Sequence, residues 1–280
     1  MNKIIVNGEF FSPIDTLSCG QVFRYKEYKK GYLLISLDKI CYIYTEGENT
    51  VIETEHEDYF RNYFDISRDY AEIFSKAINY GTKTLNLSAK AGKGIRILKQ
   101  DAFEMLFTFI ISQNNNVKRI SLITERLCEK VGKKVSSPFI NYNAFPTLEE
   151  LSTLTEKDYK ELGFGYRGNY FISVINSIKN GLDIENLKLL SNQELYKTLT
   201  SLRGVGDKVA NCIMLFGFFR TKTFPVDTWI EKIYLNHFNG KEKDRKKMSE
   251  WFIAEFGEYS GYIQQYLFHY IKNQKGFYEE

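Results

Sequence analysis

The chain has 280 residues, of which 43% are hydrophobic, and its 38 basic and 35 acidic side chains leave a formal net charge of only +3. These values are typical of a globular protein with a sizeable core. No window approaches the roughly 18 uninterrupted apolar residues of a membrane span, and the apolar run at the N-terminus is too short for a signal peptide, so we expect a cytoplasmic protein with no membrane partner.

The four cysteines stand far apart, at positions 19, 41, 128 and 212, and form no C-x-x-C pair. This spacing predicts neither a local zinc site nor a cysteine-bound iron–sulfur cluster. The small positive charge is weak evidence for a polyanionic partner, because an enzyme acting on small molecules would look the same.

The first part of the chain predicts strands, in β-branched and aromatic runs separated by short turns: IIVNGEF, QVFRYKEY, GYLLISLD, ICYIYTE and TVIETE. From about Glu57 the hydrophobic period becomes helical, and Gly132 is predicted to end one helix as a left-handed C-cap. The sequence therefore predicts an α+β protein, with an N-terminal antiparallel β-sheet and helices over residues 1–97 and an all-helical domain over residues 98–280.

Two glycines two positions apart, Gly204 and Gly206, separate two helical patterns. They allow a tight turn and leave the amides at the start of the next helix open, so that these amides can bind a phosphate. Taken alone, this pattern is better interpreted as a plain helix–helix turn.

Lys208 falls in the first turn of that next helix, whose remainder is nearly all apolar. The positive helix end and partial burial both favour the neutral amine, which is a nucleophile able to form a Schiff base. The alternative is a lysine whose ammonium reaches solvent and contacts a phosphate through its charge.

Asp227 follows nineteen residues later in the stretch FPVDTW, directly before another helical pattern. It is a natural N-cap, and about half of the support for a functional role at this position needs nothing more than capping. The preceding helix ends near Arg220, so the chain has to fold back and can bring Asp227 near Lys208. A carboxylate there would stabilise the cationic sugar that forms when a base leaves.

The segment from Ser201 to Tyr234, with L-x-G-V-G-x-K-V-A followed by P-V-D, resembles the helix–hairpin–helix plus Gly/Pro-Asp motif of the base-excision DNA glycosylase superfamily. The resemblance places the helix–hairpin–helix at about residues 195–220 and the catalytic pair at Lys208 and Asp227. A lysine at this position marks the bifunctional members, which excise a base and then nick the strand by β-elimination. The endonuclease III and adenine-glycosylase branches carry a four-cysteine cluster after the motif, which this sequence lacks.

Further stretches resemble one branch, the eukaryotic-type 8-oxoguanine DNA glycosylases: LSCGQVFRY, FTFIISQNNNVKRI, LGFGYR and GYIQQYLF. The resemblance implies that Cys212 and Phe268 sandwich the flipped base, that Gln264 bonds its Watson–Crick edge, and that the carbonyl of Gly20 accepts the N7–H that guanine lacks. It also implies that Asn114 fills the vacated space and Tyr166 wedges the base stack, while Arg119 and Arg167 read the estranged cytosine.

The resemblance further implies contacts to the DNA backbone from Gly204, Gly206 and Trp229, although animal members of the branch carry a histidine where this chain has Trp229. A cation on the backbone carbonyls of Thr200, Leu202 and Val205 is implied as an option. We expect no redox or organic cofactor, a monomer, and double-stranded DNA containing 8-oxoguanine opposite cytosine as the substrate.

Two alternatives stay open at this point. One is a glycosylase for another purine lesion, such as an alkylated purine. The other is a non-catalytic helix–hairpin–helix module that only binds phosphates.

Overall fold

The computed structural model describes residues 1–273, so residues 274–280 of the predicted second domain lie outside the described range. Its N-terminal part is a five-stranded antiparallel sheet. The strands are β1 (Asn2–Asn7), β2 (Tyr25–Tyr28), β3 (Gly31–Ser36), β4 (Lys39–Glu46) and β5 (Asn49–Thr54). Their order is β1-β5-β4-β3-β2, and the five predicted runs supply them. The turns inside the β2–β5 meander contain residues with positive φ, namely Lys29, Leu37 and Gly47.

The sheet buries both of its faces, and alternate residues of each strand share a face. One face packs Ile4, Leu34, Ile43 and Ile52 against a helix that carries Phe60. The other face is covered by a later segment of the chain that contributes Tyr142.

The remainder is mainly helical. The helices are α1 (Pro13–Ser18), α2 (Glu57–Tyr63), α3 (Tyr70–Asn79), α4 (Lys83–Ala91), α5 (Ala102–Ser112), α6 (Val117–Val131), α7 (Leu148–Leu151), α8 (Glu156–Glu161), α9 (Arg167–Lys179), α10 (Asn192–Ser201), α11 (Asp207–Phe216), α12 (Thr228–His237), α13 (Arg245–Phe256) and α14 (Ser260–Asn273). The second half also contains a small antiparallel pair, β6 (Lys134–Val135) and β7 (Tyr142–Asn143), which the sequence pattern did not predict.

Helices α3 and α4 share their core with the second half of the chain, although both precede the predicted boundary at residue 97. Their side chains Ile73 and Leu85 belong to the same apolar cluster as Ile263 of α14, and α4 packs along α14. The first half therefore contributes the sheet to one core and two helices to the other.

The junction between the halves is fixed by a buried ion pair, in which Arg24 Nη1 lies 3.6 Å from Glu104 Oε1 of α5. Both side chains also bond Leu37: Arg24 donates to its carbonyl (3.2 Å) and Glu104 accepts from its amide (2.9 Å). Truncating either partner would leave a buried charge uncompensated.

The prediction for Gly132 is wrong. It does cap α6, but its backbone is extended, with φ −71° and ψ 146°, and is not left-handed. The position needs glycine because a Cβ atom would lie 2.2 Å from the carbonyl oxygen of Ala144.

Candidate active site

The hairpin between α10 and α11 has the tight turn expected of the two glycines. Gly204 has φ +87°, and a Cβ atom there would lie 2.3 Å from the ring of Tyr170, so the position excludes any side chain. Gly206 is the N-cap of α11 and faces open space. The first amides of α11 are therefore accessible to an anion, as phosphate binding requires.

Lys208 lies half-buried in the first turn of α11, and its ammonium lies 5.5 Å from the centre of the Phe109 ring. Its side chain interacts with that of Cys212, which lies one helical turn further along and is buried. The i, i+4 spacing noted in the sequence thus produces a direct contact.

The charge state of Lys208 differs from the expected one. Burial lowers its pKa, but the interactions with Cys212 and Asp227 outweigh burial, and the net pKa is raised above its ordinary value. Burial raises the pKa of the Cys212 thiol, and the charge of Lys208 opposes that shift. The expectation of a neutral amine in the free protein is therefore wrong, and Lys208 has to lose a proton before it can act as a nucleophile.

Asp227 is the N-cap of α12, as predicted. Its Oδ1 accepts hydrogen bonds from the amides of Trp229 (3.0 Å) and Ile230 (2.9 Å). The fold also brings its carboxylate close enough to Lys208 to raise the pKa of the lysine. Lys208 lies in the first turn of α11 and Asp227 caps α12, so both catalytic candidates lie at helix N-termini. Their charge interaction places these two N-termini close together.

Gly20, Gln264 and Phe268 lie together at the junction of α1 and α14. Gly20 has φ +85°, and a Cβ atom there would lie 3.2 Å from the Phe268 ring. Gln264 is buried and donates to the carbonyl of Pro225 (3.3 Å), two residues before Asp227. The predicted base pocket thus contacts the loop that carries the candidate catalytic carboxylate.

Gln21 holds the Gly20 turn in place, and sequence reasoning gave it no role. Its fully buried side chain donates to the carbonyls of Thr16 (2.9 Å) and Arg96 (2.7 Å) and accepts from the amide of Leu98 (2.9 Å). The available signal was a glutamine among the apolar residues of LSCGQVF, because a buried amide has to find hydrogen-bond partners inside the protein.

The loop between α5 and α6 carries Asn114, which was predicted to enter the space left by the flipped base. Asn114 is exposed and has φ +49°, a left-handed conformation that asparagine tolerates better than most side chains. Asn116 caps α6 by accepting from the amide of Arg119 (2.9 Å). Arg119 is exposed, and Tyr166, in the G-Y-R turn nearby, is 50% exposed. Asn114, Arg119 and Tyr166 are therefore accessible to DNA.

Arg167 is buried, unlike the exposed Asn114, Arg119 and Tyr166 with which it was predicted to act. It is only 5% exposed, and its guanidinium donates to the carbonyls of Gln113 (2.7 Å from Nε), Asn114 (3.2 Å) and Phe164 (3.2 Å). In this structure Arg167 fixes the loop that presents Asn114, and reading a cytosine would require it to release these carbonyls.

A cavity of about 270 Å³ opens between that loop and the hairpin, where Gln113, Gly206, Lys208 and Val226 line it. Trp229, at the start of α12, is 38% exposed, with the ammonium of Lys232 lying 5.4 Å from its ring. At the candidate cation position, the Leu202 carbonyl already accepts from the Val205 amide (3.0 Å).

Two features are absent from residues 1–273. There is no group of three or more His, Cys, Asp and Glu side chains arranged to hold a metal ion. None of the helices in this range has the length and apolar character needed to cross a bilayer.

Residues 3–106 match the family described as 8-oxoguanine DNA glycosylase, N-terminal domain, and residues 107–257 match the HhH-GPD superfamily of base excision DNA repair proteins. The chain belongs to the 8-oxoguanine DNA glycosylase branch of this superfamily. Its Lys208 and Asp227 lie within the helix–hairpin–helix match, and its Gly20 turn lies within the N-terminal match.

Solved and curated relatives in this family cover most of the chain. The 8-oxoguanine glycosylase/lyase of Clostridium acetobutylicum, solved with double-stranded DNA containing cytosine opposite 8-oxoguanine, is 38% identical over 96% of this chain and 95% of its own, with a TM-score of 0.90. A probable N-glycosylase/DNA lyase of Methanothermobacter thermautotrophicus is 30% identical over 75% of this chain and 71% of its own length.

The N-glycosylase/DNA lyase OGG1 of Arabidopsis thaliana is 33% identical over 63% of this chain, and the match spans 52% of that protein. The chain thus spans about half the length of the plant family member, while it spans nearly all of the solved bacterial one.

Proposed function

We propose that this protein is a bifunctional DNA glycosylase and AP lyase that excises 8-oxoguanine from duplex DNA, with Lys208 as nucleophile. The observation that carries the proposal is the convergence of Lys208, Cys212 and Asp227, with Asp227 two residues after the Pro225 carbonyl that the predicted pocket residue Gln264 bonds. Membership in the 8-oxoguanine glycosylase family supports this choice over an alkylated-purine glycosylase.

In the proposed reaction, Lys208 first loses its proton. Its amine attacks C1′ of the flipped nucleotide as the C1′–N9 bond breaks, and the departing base takes the bonding electrons. Asp227 stabilises the positive charge that develops on the sugar. The sugar ring then opens to a Schiff base, loss of a C2′ proton expels the 3′ phosphate, and hydrolysis of the Schiff base regenerates the lysine.

Recognition of the lesion would come from the Gly20 carbonyl, which can accept from the N7–H of 8-oxoguanine but meets a lone pair on guanine. Within residues 1–273, no hydrogen bond described for the structure is accepted by this carbonyl. Losing the bond in a dry pocket costs about 1–3 kcal/mol, which corresponds to roughly a 5- to 150-fold preference for the lesion.

We also propose cytosine as the preferred base opposite the lesion, and a monomer as the active species. The exposed Arg119 supports the first of these, because its donors suit the acceptor edge of cytosine. The candidate backbone contacts are the open amides after Gly206 and the indole of Trp229, which can donate a hydrogen bond.

The test is single-turnover excision from matched duplexes that carry 8-oxoguanine, guanine or 3-methyladenine opposite cytosine. We expect release of 8-oxoguanine together with strand cleavage, and little release of the other two bases. Excision of 3-methyladenine alone would assign the alkylated-purine function. Binding without release of any base would assign a non-catalytic module. The same 8-oxoguanine duplex with each of the four opposing bases then measures the preference for cytosine.

A further inference from the structure

Helix α14 contacts the end of α1 through a lysine outside the catalytic and base-contacting set. The ammonium of Lys272 donates to the carbonyl of Ser18 (3.2 Å), the last residue of α1. A cation at this end of a helix is favoured by the helix dipole and by the carbonyls that have no partner within the helix. Gly20 follows two residues later, so the bond holds the backbone directly ahead of the carbonyl proposed to recognise the lesion.

The same lysine lies beside the other wall of the pocket. Its Nζ is 5.9 Å from the centre of the Phe268 ring, and both residues stand on α14 one helical turn apart. Phe268 in turn faces Gly20, with 3.2 Å between its ring and the position of a Cβ atom at the glycine. Lys272 therefore contacts both the Gly20 turn, which would recognise the edge of a flipped base, and the Phe268 ring, on which the base would stack.

The opposite side of the Gly20 turn is held by the core. Gln21 fixes the turn to the Arg96–Leu98 segment through buried hydrogen bonds. The side facing α14 is held instead by the exposed Lys272 and by the contact of His269 Nε2 with Asp15 Oδ1 at 3.7 Å. Loss of the lysine would release one side of the turn while leaving the core intact.

We propose that Lys272 is a positioning residue for base discrimination: by holding the Ser18 carbonyl it fixes the Gly20 carbonyl relative to the Phe268 ring. The inference rests on the proposed function. A carbonyl held in place bonds the N7–H of the lesion and opposes the lone pair of guanine, whereas a mobile carbonyl can shift away from guanine and bonds the lesion less well. The effect belongs to selectivity, and DNA affinity should be unchanged.

The experiment compares Lys272→Met, which keeps the chain length but removes the donor, with Lys272→Arg, which keeps a cationic donor. The matched control is Lys90→Met, which removes an exposed lysine from the last turn of α4 with the same change in net charge. Each protein is assayed for single-turnover excision of 8-oxoguanine and of guanine, and for binding to a duplex with a tetrahydrofuran abasic analogue. Amide hydrogen exchange of residues 16–21 is measured without DNA.

We expect the ratio of 8-oxoguanine to guanine excision to fall about fivefold in Lys272→Met, as loss of one hydrogen bond predicts. It should recover in Lys272→Arg and stay unchanged in Lys90→Met, with equal abasic-site affinity throughout. Exchange at residues 16–21 should be faster only in Lys272→Met.

An unchanged ratio, or an affinity loss that accounts for the whole effect, would overturn the inference. The exchange measurement needs no substrate, so unaltered protection of residues 16–21 would also overturn it, even if the wild-type protein proved inactive on 8-oxoguanine. That inactivity would separately reject the proposed function.

Discussion

Lys208 and Cys212 lie one turn apart on α11, and their side chains interact beside the Asp227 carboxylate. This arrangement stabilises the ammonium form of the lysine, so the resting site holds a cation where a flipped nucleotide would enter. A cation suits the binding of an electron-rich base and a phosphate backbone, but the chemistry requires the amine. Deprotonation of Lys208 is therefore a step that the site has to accomplish after binding DNA.

The raised pKa of Lys208 predicts the pH dependence of excision. Below its pKa, the fraction of amine grows about tenfold per pH unit, so the single-turnover rate should rise with pH through the neutral range. Asp227→Asn removes a carboxylate whose charge raises the pKa of Lys208, so the rising limb should move to lower pH. Rate profiles of both proteins on one duplex test this. A limb that stays in place or moves to higher pH would show that Asp227 does not set the charge of the lysine.

Asp227 has two roles that substitution can separate. Asparagine caps helices as well as aspartate does, so Asp227→Asn should cost only about 0.5 kcal/mol of unfolding free energy, chiefly from the lost charge at the helix dipole. Excision should fall by about a hundredfold or more, because the carboxylate that stabilises the developing cation is gone. Thermal unfolding and single-turnover rates measure the two effects. Wild-type excision by Asp227→Asn would mean that Asp227 is a cap and nothing else.

Arg167 and Arg119 should differ in what their loss affects. Arg167→Lys removes a buried fork that bonds the Gln113 and Asn114 carbonyls, and it should lower the free energy of unfolding by about 2–3 kcal/mol. Arg119→Ala removes an exposed side chain, so stability should change by less than about 0.5 kcal/mol while the preference for cytosine opposite the lesion falls. Denaturant unfolding and the panel of opposing bases check both effects. Equal stability losses in the two variants would contradict the placement of Arg167.

The sequence alone predicted the features that depend on local pattern. Alternating strands, the Gly204–Gly206 turn and the Asp227 cap each follow from a few adjacent residues. It could not predict the charge of Lys208, because that depends on Asp227, which a separate helix brings alongside. The burial of Arg167 and the hydrogen bonds of Gln21 were missed for the same reason: their partners, such as Gln113 and Leu98, lie far away along the chain.

The conformation of Gly132 illustrates a further limit. A glycine at the end of a helix favours a left-handed cap, but here the requirement for glycine comes from the approach of Ala144, which no local pattern shows. Tertiary contacts of this kind override local preference.

The most direct test of the central claim is borohydride trapping on a duplex with 8-oxoguanine opposite cytosine, because reduction makes a Schiff base between enzyme and DNA permanent. The wild-type protein and Lys157→Gln, which removes an exposed lysine on α8, should both give a covalent adduct. Lys208→Gln should give none while still binding an abasic-analogue duplex. An adduct of wild-type yield in Lys208→Gln, or none in the wild-type protein under conditions where it binds, would contradict the account.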